Sequence, residues 1–124
     1  MTEKFVPIVV VIDPEEIVRS LIRDILMRRL GWDVVHMAAD GVEGYRLIKE
    51  NIPGLVIAEV KMPKLDGVEL LDKIREVAGQ SIKVILMSAD EEGGEEAIEH
   101  GADAILFKPF DPDAFIDTIQ RVMG

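Results

Sequence analysis

The chain has 124 residues, enough to bury one core, and a net charge of −10, so most of its surface repels a phosphate backbone and direct nucleic-acid binding is disfavoured. It contains no cysteine, which excludes disulfides, thiolate metal sites and thiol catalysis. No apolar run approaches the ~20 residues of a membrane span, and the N-terminus, MTEKFVPIVV, leads into a strand-like segment rather than a signal peptide. The expectation is one domain over residues 1–124, cytoplasmic, with no membrane or nucleic-acid partner.

Residues 5–12, FVPIVVVI, are apolar at consecutive positions, the pattern of a strand covered on both faces; Pro7 must lie toward its start because it cannot donate to a ladder. The strand ends at Asp13. Val18, Leu21, Ile22, Ile25, Leu26 and Leu30 then recur at helical spacing, and Gly31 stops them. Residues 33–37, DVVHM, predict a second strand, and residues 41–50 a second helix with Val42, Tyr45 and Ile48 inward; Asn51-Ile52-Pro53-Gly54 breaks the chain after it. The stretch 55–67, LVIAEVKMPKLDG, predicts a third strand ending at Glu59, a turn through Met62-Pro63, and a helix that Asp66 caps. That helix carries Val68, Leu70, Leu71, Ile74 and Val77 and closes at Gly79.

Residues 82–87, IKVILM, predict a fourth strand ending at Ser88. The fourth helix, 90–100, is poorly anchored, with Gly93-Gly94 inside it and only Ala97 and Ile98 as apolar anchors. Each interior glycine costs about 1 kcal/mol relative to alanine. This helix should therefore be the least stable, and alanine at both positions should firm it without altering the neighbouring pocket. Residues 104–107 form a fifth strand ending at Lys108-Pro109, and Asp111-Pro112 opens a last helix with Phe115, Ile116, Ile119 and Val122 inward.

Five alternations of strand and helix with short connections mean an α/β, doubly wound parallel sheet with helices on both faces. Ligands in such sheets bind beyond the carboxyl ends of the strands, where Asp13, Glu59, Ser88 and Lys108 fall. Lys108 is expected to pair with Glu59, with Asp13 nearby. A flavin or nucleotide binder is disfavoured, because IDPEE after the first strand is acidic where a phosphate cradle offers free N–H groups. His36 and His100 stand too far apart in the pattern to suggest a metal site, Trp32 and Tyr45 read as packing, and the acidic run 90–99 reads as a solvated helix face.

Together, VVVID, VKMPKLDG, LMSA and GADAILFKPF, in this order along nearly the whole chain, resemble the receiver domain of bacterial two-component response regulators, the CheY-like family. The resemblance implies a flavodoxin-like fold of five strands in the order 2-1-3-4-5, a signalling module rather than an enzyme, and a histidine kinase or other signalling protein as partner. It implies that the acid ending the third strand, here Glu59 in place of aspartate, is the phosphoacceptor position. It implies that Ser88, Ala89 and Lys108 form the phosphate side of the pocket, and that Ser88 and Ile105 are the switch positions. Ile105 cannot make the swing of the aromatic residue that the family places there. Two acids after the first strand help to hold Mg²⁺ in such domains; Asp13 is the first, and Pro14 stands where the second belongs.

Glutamate carries its carboxylate ~1.5 Å further than aspartate, and a misplacement of that order costs in-line attack roughly a hundredfold. Without the second acid, the metal donors are Asp13, Glu59 and the carbonyl of Lys61, a weak Mg²⁺ site at most. The expectation is a degenerate receiver that acts by protein contact; the alternative is a working receiver phosphorylated by a histidine kinase.

Overall fold

The structure is a computed structural model describing residues 6–124; Phe5, assigned above to the first strand, lies outside the described residues. Five parallel strands, β1 (Val9–Ile12), β2 (Val35–Ala38), β3 (Leu55–Glu59), β4 (Lys83–Ser88) and β5 (Ala104–Phe107), form one sheet in the order β2-β1-β3-β4-β5. Between and after them run α1 (Glu16–Ile25, continued by a π turn over Leu26–Leu30), α2 (Gly41–Asn51), α3 (Gly67–Ala78), α4 (Glu91–Glu99) and α5 (Pro112–Met123).

Successive residues of each central strand point to opposite faces, which explains why β1 and β3 are apolar at nearly every position. Val10, Ile12, Val56, Ala58, Val84 and Leu86 pack under α2, α3 and α4. Val9, Val11, Leu55, Ile57, Ile85 and Met87 pack under α1 and α5, against Ile22, Leu26, Phe115 and Ile119. Among the described residues the first strand starts at Val9, three residues after Val6: the Ile8 carbonyl accepts from Gly54 and Leu55, but Pro7 has no N–H with which to extend the ladder.

Leu21, Val42, Val77 and Ile98, expected inward, are exposed. The sheet covers only a narrow stripe of each helix, and in α2 that stripe is Gly41, Gly44 and Ile48. Gly44 lies so close to the Ile12 side chain that a Cβ there would overlap it, so α2 reaches the sheet by having no side chain, and Val42 is turned outward.

The loop after β3 is fixed from both sides. Gly67 donates its N–H to the Val60 carbonyl at 2.8 Å, and a Cβ on Gly67 would stand 2.5 Å from the Glu59 carbonyl oxygen. Asp66 accepts from Glu69 N–H at 2.8 Å while Glu69 accepts from Asp66 N–H at 3.1 Å, a capping box worth about 1 kcal/mol. At the opposite end of the sheet, Arg75 donates to the carbonyl of Ile82 at 2.7 Å and to Asp103 at 2.9 Å, joining α3 to the starts of β4 and β5.

Candidate functional site

At the carboxyl edge, Asp13 and Glu59 follow from β1 and β3, neighbours in the sheet, and both are buried. Lys108 enters from the end of β5, its N–H bonded to the Ser88 carbonyl at 2.9 Å and its bond to Pro109 cis. Its ammonium donates to Asp13 Oδ2 at 2.7 Å and stands 2.9 Å from Glu59 Oε2. The approach to Glu59 is an ion pair without the angles of a hydrogen bond, and Glu59 Oε2 has no other partner. Burial by itself would lower the lysine's pKa, but the bond to Asp13 and the charge of Glu59 outweigh it, and the net displacement is upward. The arrangement is two buried carboxylates sharing one ammonium.

Asp13 has little left to offer. Its Oδ1 accepts from Glu15 N–H at 2.8 Å, and its backbone carbonyl accepts from Arg19 at 2.6 Å. Ser88 is occupied as well: its hydroxyl donates to the Asp90 carbonyl at 2.7 Å and accepts from Asp90 N–H at 3.1 Å. Asp90 then caps α4 through Gly93 N–H at 2.7 Å and pairs with Lys61 at 2.8 Å.

This acid, acid, hydroxyl and lysine set at the edge of a 2-1-3-4-5 sheet coincides with a family match: the response regulator receiver domain covers residues 9–120. The chain belongs to that family. It is similar to the chemotaxis protein CheY of Halobacterium salinarum, 34% identical over 116 residues that make up 93% of this chain and 95% of that protein. CheY of Bacillus subtilis is 30% identical over 94% of this chain and 97% of its own length. Among solved structures, the chemotaxis response regulator CheY4 of Vibrio cholerae superposes with a TM-score of 0.86 at 26% identity, over 95% of this chain and 99% of that one. Response regulator Rre1 of Synechocystis is matched, at 35% identity, over 73% of this chain but only 40% of its own length. The receiver fold is thus present, five parallel strands with helices on both faces, and no helix among the described residues is long and apolar enough to cross a membrane.

In this receiver Asp13, Glu59 and Lys108 are brought together, and Ser88 is adjacent through its backbone while its hydroxyl faces the α4 loop. Ala89 is exposed on the outer side of Lys108, in a shallow hollow with Val18, Leu21 and Phe110. Ile105 is half-buried against the core beneath α4. Lys61 sends its side chain to Asp90.

This donor set does not fit Mg²⁺. Both Asp13 oxygens are engaged, Glu59 faces an ammonium, Pro14 offers no carboxylate, and no three His, Asp or Glu side chains among the described residues cluster to hold a metal. Octahedral coordination would have to displace the lysine.

Two features were missed in the sequence. Gly93 and Gly94 are packing positions: a Cβ on Gly93 would stand 2.7 Å from Ser88 Oγ, and one on Gly94 2.7 Å from the Phe107 ring. The expectation that alanine at both would leave the pocket undisturbed is corrected by these contacts. Phe107 itself was overlooked; it shares a face of β5 with Ile105, which the alternation of a strand could have shown.

Proposed function

We propose that this receiver is degenerate at its acceptor position and signals by protein contact without needing phosphorylation. The observation that supports this reading is the ammonium of Lys108 between Asp13 and Glu59, an ion cluster complete without a phosphoryl group. Here both acids already compete for the ammonium that incoming phosphoryl oxygens would need. The longer side chain of Glu59 carries its charge toward the position a phosphoryl group would take, and Pro14 removes a metal donor from the same side. Both differences act against transfer, since Mg²⁺ would have to neutralise the charge that develops on the moving group. The partner is then a signalling protein that reads a constant surface rather than a switched one.

The test is a radiolabelled small phosphodonor, such as acetyl phosphate, given to the chain and to a Pro14→Asp, Glu59→Asp double variant with excess Mg²⁺. The chain should remain unlabelled and show no saturable heat with low-micromolar Mg²⁺ by calorimetry, while the double variant should take label and bind metal. Stoichiometric labelling of the unaltered chain would overturn the proposal in favour of a working phosphoacceptor. A folded double variant that stays unlabelled would mean that Glu59 is not at the acceptor position.

A further inference from the structure

Helices α2 and α3 pack side by side over one face of the sheet. Where they meet, two lysines converge on one aromatic ring: Lys49 Nζ lies 4.7 Å and Lys73 Nζ 5.7 Å from the centre of Tyr45. The two ammonium groups are therefore at most about 10 Å apart, within a Debye length at moderate salt, and they repel each other. Neither is in an ion pair among the described residues, although Glu76 stands one turn beyond Lys73. Glu69, one turn before Lys73, is used in the cap of α3, and Glu43 and Glu50 both hold Arg46. Lys49 has Tyr45 and Arg46 one turn before it and Ile52 and Pro53 one turn after it, so no acid stands at helical spacing from it.

In a chain with 24 acids against 14 lysines and arginines, two neighbouring cations without an acid are a local reversal of sign. The ring holds them in place, because a cation over an aromatic face is attracted by its quadrupole. Part of the ordering that an arriving anion would demand is already done. The patch has an apolar component as well. Val42, one turn before Tyr45 on α2, is 55% exposed, and Val77, one turn after Lys73 on α3, is 61% exposed. Tyr45 itself is half-buried, with its inner side against the core.

We propose that this face of α2 and α3 binds an acidic amphipathic helix of a partner protein, with its carboxylates on Lys49 and Lys73 and its apolar residues on Tyr45, Val42 and Val77. Acids spaced by four stand about 6 Å apart along a helix, a span that two ammonium groups around one ring can meet. Charge decides among occupants. A DNA duplex or an anionic membrane is an extended surface that would also meet the chain's other acids, and the net −10 repels it. A second copy could offer its acidic stretch 91–99, but that contact joins unlike surfaces, propagates from copy to copy instead of closing, and accumulates like charge. A single helix is small enough to touch the lysines alone. The inference rests on the reading of the chain as a protein-binding module and adds the chemistry of a partner and the face it uses.

The probe is a labelled synthetic helix with leucines at i, i+3 and i+7 and glutamates at i+4 and i+8, followed by fluorescence anisotropy as the intact chain is added. It should bind, more weakly as salt rises, and a counterpart with glutamines in place of the glutamates should bind at least roughly tenfold more weakly. Lys49→Gln with Lys73→Gln should cost the chain a similar factor. Arg23→Gln with Lys83→Gln, the same change in net charge at two cations elsewhere, should cost less than roughly twofold. Tyr45→Phe keeps the ring and should keep the affinity, whereas Tyr45→Leu keeps an apolar side chain without the ring and should lose several-fold. Far-UV circular dichroism checks that each variant is folded. Equal binding of the two helices, equal losses in the two double variants, or full affinity in Tyr45→Leu would overturn the proposal. Concentration-dependent assembly that Lys49→Gln with Lys73→Gln abolishes would overturn it in favour of a second copy. Tighter binding of a DNA duplex or of phosphatidylserine vesicles than of the helix would overturn it in favour of a phosphate surface. The phosphodonor assay reads Glu59 and this one reads Lys49 and Lys73, so failure of either is visible without the other.

Discussion

Asp13 and Glu59, at the ends of β1 and β3, are held by a charge, the Lys108 ammonium at 2.7 and 2.9 Å. Ser88, at the end of β4, is held by a space, the missing side chain of Gly93. The first arrangement joins strands far apart in sequence and fails when a charge is removed; the second is local to one turn and fails when an atom is added. One pocket thus has two kinds of fragility. The largest expected effect is on the charged side. Lys108→Ala leaves two buried carboxylates facing each other, and breaking a buried pair in this way costs about 3–5 kcal/mol. The lysine side chain retains 19% exposure, so a loss nearer 2–3 kcal/mol is expected from urea denaturation. Adding Glu59→Gln should recover part of it by removing one of the uncompensated charges. A loss under ~0.5 kcal/mol, the size of an exposed pair, would mean that Lys108 is not the clamp.

On the spatial side, Gly93→Ala gains about 1 kcal/mol of helix propensity and pays an overpacking cost of about 1–3 kcal/mol where its Cβ meets Ser88 Oγ. The net expectation is destabilisation of roughly 1 kcal/mol. Ser88→Ala removes the obstructing oxygen, so the double variant should be more stable than Ser88→Ala alone, and the cycle should give a coupling of about 1 kcal/mol or more. Additive effects would show that the two residues do not touch.

The contrast also explains what could be read in the sequence. The alternation of strands and helices, the caps at Asp66 and Asp111, and the meeting of Asp13, Glu59 and Lys108 at one sheet edge follow from periodicity, turn residues and topology, each of which is local or repeats along the chain, whereas the strand order is implied by the family resemblance. What could not be read depends on close approach between elements. Val42 points outward because Gly41 and Gly44 carry α2 onto the sheet, and Gly93 and Gly94 serve Ser88 and Phe107 rather than merely weakening α4. A glycine has no pattern that separates a packing role from a breaking one until its neighbours are placed. The same holds for Ser88, whose position at the strand end was legible while the turn of its hydroxyl toward Asp90 was not.

The smallest expected effect lies at the far end of α4, where His100 ties that helix to α3. His100 Nδ1 lies 3.0 Å from Asp72 Oδ1, on the surface. The bond to Asp72 raises the histidine's pKa above its ordinary value of 6.5, and Glu96 and Glu99 add to the effect. The folded chain therefore binds this proton more tightly than the unfolded one. Stability from the pair is fully present below about pH 6.5, the unfolded value, and is lost as pH rises through the folded pKa. Because both side chains are exposed, salt should diminish it. Urea midpoints measured from pH 5.5 to 8.5 should fall more for the unaltered chain than for Asp72→Asn, and an NMR titration should show His100 titrating above the ordinary histidine value of 6.5. If the two proteins had parallel pH profiles, α4 would be secured at Asp90 alone, and the contrast between a charged clamp and a packed notch would extend along that helix without a second charge at its end.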